Sequence, residues 1–352
     1  MGETLEACLK DLESRIDAAE EEALLAKWNA FVEGRMEEEV FRPRRSTPRP
    51  AGVKWPRVLV NEAIKDPELM ALQQYGTCSE ALAEGRGNIL CVRANYGTGI
   101  LPSVFGLRVF MMEDAADTLP TNWPVEGGRD AVWRILSAGL PEKYPGFAGM
   151  ALAAGKLFRD IGARHPAIGR YVNIYHPDTQ SPMDVCELVW GSSLFSDVIE
   201  EPVLVKEFLL HVTTLIKAFM RKWHEVVPPP WPDRAVHWGW MHMGRIMLRS
   251  DSAMNFSPEM YREFIVPYDQ VLLMEFGGGG VHFCGTGDHY IRDLTAMVGV
   301  KAVQVSQPHL NDMEAVYVAT VDAGIPLMDM AADEVARVTK SGRPLKGRVH
   351  CW

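Results

Sequence analysis

A chain of 352 residues, 47% of them hydrophobic, is long enough to build one large domain or two smaller ones with a substantial core. Its formal net charge of -10 argues against a nucleic-acid-binding protein that works through a basic surface. The six cysteines are too scattered for a disulfide framework, and neither a signal peptide nor a run of about 18 apolar residues is present, so we expect a cytoplasmic protein without a membrane span.

The N-terminal segment predicts a helical arm followed by a linker. Leucine and other apolar residues recur at helical spacing through residues 3–39, which favours one or two amphipathic helices. Residues 41–56 carry four arginines and four prolines, a composition that predicts an extended, solvated linker. We therefore place an N-terminal helical arm and a Pro/Arg-rich linker in residues 1–57.

From residue 58 onward, helical and strand-like segments alternate, which is typical of an α/β fold with a parallel sheet. The predicted strands are 88–95, 171–177, 245–250, 280–284, 301–305, 325–330 and 347–351. The predicted helices are 67–84, 146–164, 201–226, 258–276, 289–298, 313–323 and 331–340. The last quarter repeats at about twenty residues per strand and helix, so we predict a (β/α)8 TIM barrel over residues 58–352, with an eighth strand that the pattern does not reveal.

Local signals mark the ends of one of these helices. Ser257 followed by Pro258 predicts an N-cap, and Gly277 suits the left-handed residue that ends the same helix. The four glycines of residues 277–280 precede a strand, whereas a phosphate-binding loop would follow one. They therefore predict a helix end and a tight turn.

The strongest functional signal is a pair of metal-capable side chains on the strand that follows. His282 and Cys284 are two residues apart and share one face of a strand, at the end where barrel enzymes carry their active sites. Imidazole and thiolate are ligands that Zn²⁺ prefers, and a third is needed. Cys351, at the end of the last predicted strand, is the candidate, which leaves one coordination position open for substrate; ordinary burial of the two thiols is the alternative.

Polar residues follow several other predicted strands and are candidates for the mouth of the barrel. Each is equally suited to capping a helix or making a turn. Asp251 is the candidate catalytic carboxylate, and the candidates for substrate binding are Asn95, Tyr96, Asp178, Gln180, Gln307 and His309. The aromatic, His-rich stretch 237–242 predicts a lid loop.

The segment from Asp251 to Tyr268, with Ser257-Pro-Glu-Met-Tyr261 inside it, together with His282-Phe-Cys284-Gly285, resembles the uroporphyrinogen decarboxylase superfamily. The resemblance covers roughly residues 60–351 and implies a (β/α)8 barrel with the active site in its mouth. The arginine-rich motif of the decarboxylases is missing from the first predicted strand, residues 88–95, so decarboxylation of uroporphyrinogen is not expected.

Within that superfamily, the His-x-Cys-Gly element and a late cysteine resemble the cobalamin-dependent branch, which includes methylcobamide:coenzyme M methyltransferases. This resemblance implies Zn²⁺ held by His282, Cys284 and Cys351, with methylcobalamin or a protein-bound corrinoid as co-substrate. It also implies a small-molecule substrate and a possible corrinoid protein partner. Neither a nucleic acid nor a membrane is an expected partner, and the oligomeric state is left open.

The resulting hypothesis is a zinc-dependent methyltransferase that moves a methyl group between a corrinoid carrier and a thiol or other small acceptor. One alternative is a metal-independent decarboxylase or lyase that acts on a tetrapyrrole or another carboxylate through Asp251. The other is a non-catalytic protein that binds a corrinoid or tetrapyrrole.

Overall fold

Helices and strands alternate along most of the computed structural model, which describes residues 2–352. The helices are α1 (Glu3–Arg15), α2 (Ala18–Val32), α3 (Val60–Lys65), α4 (Pro67–Ala83), α5 (Gly128–Ala138), α6 (Gly146–Arg164), α7 (Pro166–Tyr171), α8 (Pro182–Trp190), α9 (Leu194–Glu200), α10 (Pro202–Val226), α11 (Pro258–Phe264), α12 (Val266–Glu275), α13 (Ile291–Ala296), α14 (Met313–Ala319) and α15 (Ala332–Lys340). The strands are β1 (Val40–Phe41), β2 (Cys91–Arg93), β3 (Val109–Phe110), β4 (Thr121–Asn122), β5 (Asn173–Tyr175), β6 (Arg234–His237), β7 (Trp240–Met243), β8 (Ile246–Arg249), β9 (Gly279–Phe283), β10 (Val300–Val305), β11 (Leu327–Met330) and β12 (Val349–Cys351). All seven predicted strands are present, as β2, β5 and β8 to β12.

The centre of the fold is a parallel sheet of six strands in the order β1-β12-β11-β10-β9-β8. A second parallel pair joins β2 to β5, and β3–β4 and β6–β7 are antiparallel hairpins. Within residues 2–352, strand hydrogen bonds do not join the two parallel sheets into one ring. The α/β class with a parallel sheet is thus confirmed, while the closed eight-stranded barrel stays a prediction.

The six-stranded sheet separates two clusters of buried side chains. Val281 and Phe283 of β9 belong to the larger cluster, together with buried residues of α12, α13 and α14. On the other face of β9, a side chain at Gly280 would meet Met247 and Ala302, which belong to the smaller cluster. Because neighbouring residues of a strand point to opposite faces, His282 shares the face of Gly280 and is turned away from the helices.

The N-terminal arm is part of this core. The segment predicted to hold one or two helices forms two. The smaller cluster includes Trp28 of α2, while α1 contributes leucines to the larger one. Arg45, in the segment predicted to be a solvated linker, is 5% exposed and donates to both oxygens of Glu21 at 2.6 and 2.7 Å. The linker also contributes the last residue of β1, which pairs with β12. These contacts cross residue 57 but do not show whether residues 1–57 form a unit separate from residues 58–352. The boundary at residue 57 therefore remains a prediction.

The segment predicted as one helix over 258–276 forms two, α11 and α12, separated at Ile265. Pro267 near the start of α12 has no N–H to donate and its ring clashes with a preceding carbonyl, which explains the break. The predicted ends are confirmed: the Ser257 side chain accepts from the Met260 N–H at 3.3 Å, and Gly277 has a φ of +72°. In residues 2–352, no helix is both long and apolar enough to cross a bilayer.

Candidate metal centre

The candidate site lies where β8 and β9 end side by side. Gly279 allows the two strands to approach, because a β-carbon there would lie 2.0 Å from the Ile246 carbonyl oxygen. The register pairs Arg249 of β8 with His282 of β9. Asp251 and Cys284, each two residues further on, therefore reach the same level, and the Cys284 N–H donates to Asp251 Oδ1 at 2.9 Å.

Three different ligand types converge at this point. The distance from His282 Nε2 to Cys284 Sγ is 3.5 Å, and that from His282 Nε2 to Asp251 Oδ1 is 3.4 Å. One ligand atom of each of the three residues lies within 4.8 Å of the others, and all three residues are half-buried. Within residues 2–352, no other group of three His, Cys, Asp or Glu residues meets this spacing.

The spacing suits a tetrahedral metal ion. With Zn–N, Zn–S and Zn–O bonds of about 2.0, 2.3 and 2.1 Å, tetrahedral angles place nitrogen and sulfur ~3.5 Å apart and nitrogen and oxygen ~3.4 Å apart. The two distances from His282 Nε2 match these values. Three protein ligands leave one position of a tetrahedron open, as in catalytic rather than structural zinc sites.

Gln304 on the neighbouring strand β10 fixes the orientation of the His282 ring. The two residues are paired in the β9–β10 register, and His282 Nδ1 donates to Gln304 Oε1. Gln304 is 9% exposed, so it is held inside the fold. With the proton on Nδ1, the lone pair of Nε2 faces Cys284 and Asp251, as metal binding requires.

The same contacts govern protonation in the absence of a metal. Burial lowers the pKa of His282, but hydrogen bonds to Asp251 and Cys284 outweigh burial and raise it to about 10. Burial raises the pKa of Asp251, but the hydrogen bond and charge of His282 and the hydrogen bonds from Cys284 together outweigh burial, and the net shift is downward. A metal ion must therefore displace a proton from His282, so its binding weakens at low pH.

Cys351 is not part of this group. It ends β12, where Val349 and Cys351 belong to the larger core cluster on the helix side of the sheet. His350 between them points the other way, and its ring lies 4.8 Å from that of Trp28. The Cys351 thiol is fully buried and donates to the Trp352 carbonyl oxygen at 3.4 Å. The structure thus offers Asp251, predicted as a catalytic carboxylate, where the sequence predicted Cys351 as third ligand.

Two of the predicted substrate-binding residues form an ion-paired group near the site. Asp178 Oδ1 lies 3.3 Å from Arg249 Nε and accepts from Gln180 Nε2 at 2.5 Å, and Asp178 Oδ2 is 3.9 Å from Arg93. Arg249 is 2% exposed, and burial lowers its pKa. None of its three guanidinium nitrogens makes a well-oriented hydrogen bond within residues 2–352, so the 3.3 Å contact is an ion pair only. Asp178 therefore compensates a buried arginine.

The four other predicted substrate residues have different surroundings. Asn95 is half-buried, with no hydrogen-bond partner for its Oδ1 in the described residues. Tyr96 is 1% exposed and packs against Phe147 in the core, where burial raises its pKa to about 12. Gln307 Oε1 accepts from the Gly285 N–H and so holds the turn after Cys284. His309 is exposed on the turn Pro308–Leu310.

The stretch predicted as a lid loop is instead the hairpin β6–β7. Its two turn residues, Trp238 and Gly239, both have positive φ, of 49° and 88°, as a tight two-residue hairpin turn requires. The Trp238 ring lies 5.5 Å from the His282 ring, and the Arg249 guanidinium lies 4.7 Å above Trp238. Trp238, which belongs to the stretch predicted as a lid loop, therefore borders the site. Gln304 borders it too, although the sequence did not single it out. The only signal for Gln304 was its position on a strand next to β9.

The fold is similar to that of a methyltransferase from Methanosarcina mazei. The two structures align with a TM-score of 0.62 at 17% sequence identity, over 93% of this chain and 92% of that chain. At this level of identity, the similarity establishes a shared α/β fold along almost the whole chain. No protein-family model and no curated protein matches the sequence.

Proposed function

We propose that the protein is a zinc-dependent methyltransferase that moves a methyl group between a corrinoid carrier and a thiol or other small acceptor. The observation that carries the proposal is the convergence of His282 Nε2, Cys284 Sγ and Asp251 Oδ1 with tetrahedral spacing. The similarity in fold to a structure described as a methyltransferase supports the reaction class. Methylcobalamin, or a corrinoid bound to a partner protein, is the proposed co-substrate.

Each residue of the site has a distinct part in this function. Zinc, when bound, lowers the pKa of a coordinated thiol and keeps it as a thiolate, the form that attacks a methyl group. His282 contributes a neutral imidazole, and Cys284 and Asp251 contribute one negative charge each. A ligand set with Asp251 in place of a second cysteine has the same total charge, because a carboxylate and a thiolate each contribute one negative charge. The Cys284 N–H, which donates to Asp251 Oδ1 at 2.9 Å, fixes the direction of the carboxylate.

The decisive experiment measures transfer from methylcobalamin to a panel of small thiols by the loss of the cobalt–methyl absorption band. Protein with about one zinc per chain is expected to accelerate the loss, and chelation followed by zinc restoration is expected to abolish and then restore it. A zinc-free protein that transfers methyl groups equally well would overturn the role of the metal. If the loaded protein never exceeds the rate of free thiol and zinc, the methyltransferase proposal fails.

Replacing Gln304 with leucine is expected to weaken zinc binding about 10- to 100-fold, since partners that orient a metal-bound histidine typically contribute this much. Leucine cannot accept the His282 Nδ1 proton, so the ring loses its fixed orientation. Competition with a chromophoric chelator measures the affinity. The matched control is Gln304→Glu, which retains an acceptor and is expected to bind zinc at least as tightly as the wild type. Equal affinities for the leucine variant and the wild type would contradict the positioning role.

A further inference from the structure

A cavity of about 420 Å³ opens beside the metal-capable group. It lies between α8, the turn that follows β8 and the segment that follows β2, and Asp251 lines both the cavity and the metal group. A ligand in this cavity would therefore contact a residue of the metal-capable group. The chemistry of its walls limits what that ligand can be.

The walls carry acidic side chains and no basic ones. Three carboxylates line the cavity, those of Asp184, Glu187 and Asp251, and the lining includes no lysine, arginine or histidine. Asp184 is 3% exposed, and its Oδ2 has no hydrogen-bond partner within the described chain. An unpaired buried carboxylate oxygen is costly unless a ligand or water donates to it.

Another acceptor in the cavity wall is also without a donor. Asp184 Oδ1 accepts from the Ser252 N–H at 2.8 Å, and the Ser252 hydroxyl is directed at Asp184 and Glu187, so this donor is already engaged. Asn122 donates to the Leu188 carbonyl oxygen at 2.7 Å, and its buried Oδ1 has no partner in residues 2–352. A positively charged ligand rich in hydrogen-bond donors fits this lining best. Burial and the charge of Asp251 raise the pKa of Asp184, and a cation bound beside it would favour its ionised form.

We propose that this cavity binds the protonated primary or secondary ammonium group of a small organic amine. That this amine belongs to the substrate rests on the proposed function. A quaternary ammonium is a poorer match, because it has no N–H donors and is usually held by aromatic rings, which are absent from the cavity lining. A second metal ion fits less well, because Asp184 and Glu187 do not form a three-ligand group in the described residues.

Isothermal titration calorimetry on the full-length protein, with and without added zinc, tests the proposal with three probes: n-butylammonium, n-butanol and tetramethylammonium. We expect n-butylammonium to bind at least roughly 10-fold more tightly than either of the others, since only it combines charge with donors. Equal binding of n-butanol would overturn the proposal, and tighter binding of tetramethylammonium would also overturn it.

Two variants locate the binding. Asp184→Asn keeps the acceptor facing Ser252 but can place an amide donor at the position of the unpartnered Oδ2. It removes the charge as well, and it is expected to weaken n-butylammonium binding about 10-fold or more. Glu187→Gln, at a half-buried position, is expected to weaken it in the same direction and serves if the first variant does not fold. Glu37→Gln changes the net charge equally at an exposed position and is expected to have no effect. Unchanged binding in the folded cavity variants would refute the assignment.

The two proposals fail differently. If the protein binds n-butylammonium through Asp184 but does not bind zinc, the ammonium site stands and the proposed methyltransferase function falls. If zinc binds and methyl transfer proceeds while the three probes bind alike, the function stands and the ammonium site falls.

Discussion

Replacing Cys284 with serine is expected to lower zinc affinity by at least about 100-fold, whereas replacing Cys351 with serine is expected to leave it within about twofold. A serine hydroxyl stays protonated at neutral pH and is a poor zinc ligand, so the site would lose one of its two anionic donors. Cys351 lies in the helix-side core and does not face the metal group. Chelator competition on the two purified variants measures the difference.

Asp251→Asn completes this test, because it distinguishes the two possible ligand sets. We expect it to lower zinc affinity about 10-fold or more, since a neutral amide oxygen replaces a charged carboxylate. X-ray absorption at the zinc edge is expected to show one sulfur ligand in the protein without added thiol. Two sulfur ligands, together with zinc loss in the Cys351→Ser variant and retention in Asp251→Asn, would restore Cys351 as the third ligand.

The central strand of the site could be predicted because its signal is local. Alternation alone places His282 and Cys284 on one face, and glycine conformations explain the turn that precedes β9. The placement of Asp251 also follows from alternation once β8 and β9 are known to be neighbours in register. The sequence indicated that Asp251 follows a strand, but the choice of neighbour and register is a tertiary property.

Cys351 illustrates the opposite case. The segment Val349-His350-Cys351 consists of three residues that are all fully buried, so its composition does not reveal which face of β12 points inward. Pairing of Val349 with Leu327 of β11 sets the register and turns His350, not Cys351, toward the aromatic side chains of the arm. A longer strand with polar residues on one face and apolar residues on the other would have shown which face points toward the helices.

The hairpin β6–β7 and strand β1 were not predicted from the sequence, for a related reason. Two-residue strands such as β1 are too short for a period to be recognised, and Trp238 adopts a positive φ that sequence statistics rarely assign to tryptophan. The contacts of Trp238 with Arg249 and His282 hold it there. Side chains that border a site because of long-range contacts leave little trace in the local sequence.

Asp269 is expected to make the protein less stable as the pH rises from about 4 to about 8. This residue of α12 is fully buried, and neither of its carboxyl oxygens has a hydrogen-bond partner within residues 2–352. Burial raises its pKa from 3.8 to about 8. Between these values the unfolded chain releases the proton while the folded protein keeps it, so the unfolded state is increasingly favoured.

The size of this effect follows from the shift in pKa. One pKa unit corresponds to about 1.4 kcal/mol, so a shift of this size lowers the free energy of unfolding by at most on the order of 5 kcal/mol across the interval. Asp269→Asn has no proton to release, so its stability relative to the wild type is expected to increase with pH by a few kcal/mol. Near pH 4 the two proteins are expected to be similar, because the wild-type side chain is then protonated when folded.

Urea unfolding of both proteins at a series of pH values measures the difference directly, and only the difference matters because other carboxylates also titrate. Asp160→Asn, at an exposed position, is the matched control and is expected to show no pH-dependent gain. A constant difference between Asp269→Asn and the wild type from pH 4 to pH 8 would mean that Asp269 is ionised in the folded protein. A buried cation or ordered water would then have to compensate its charge, because no hydrogen-bond donor among residues 2–352 does so.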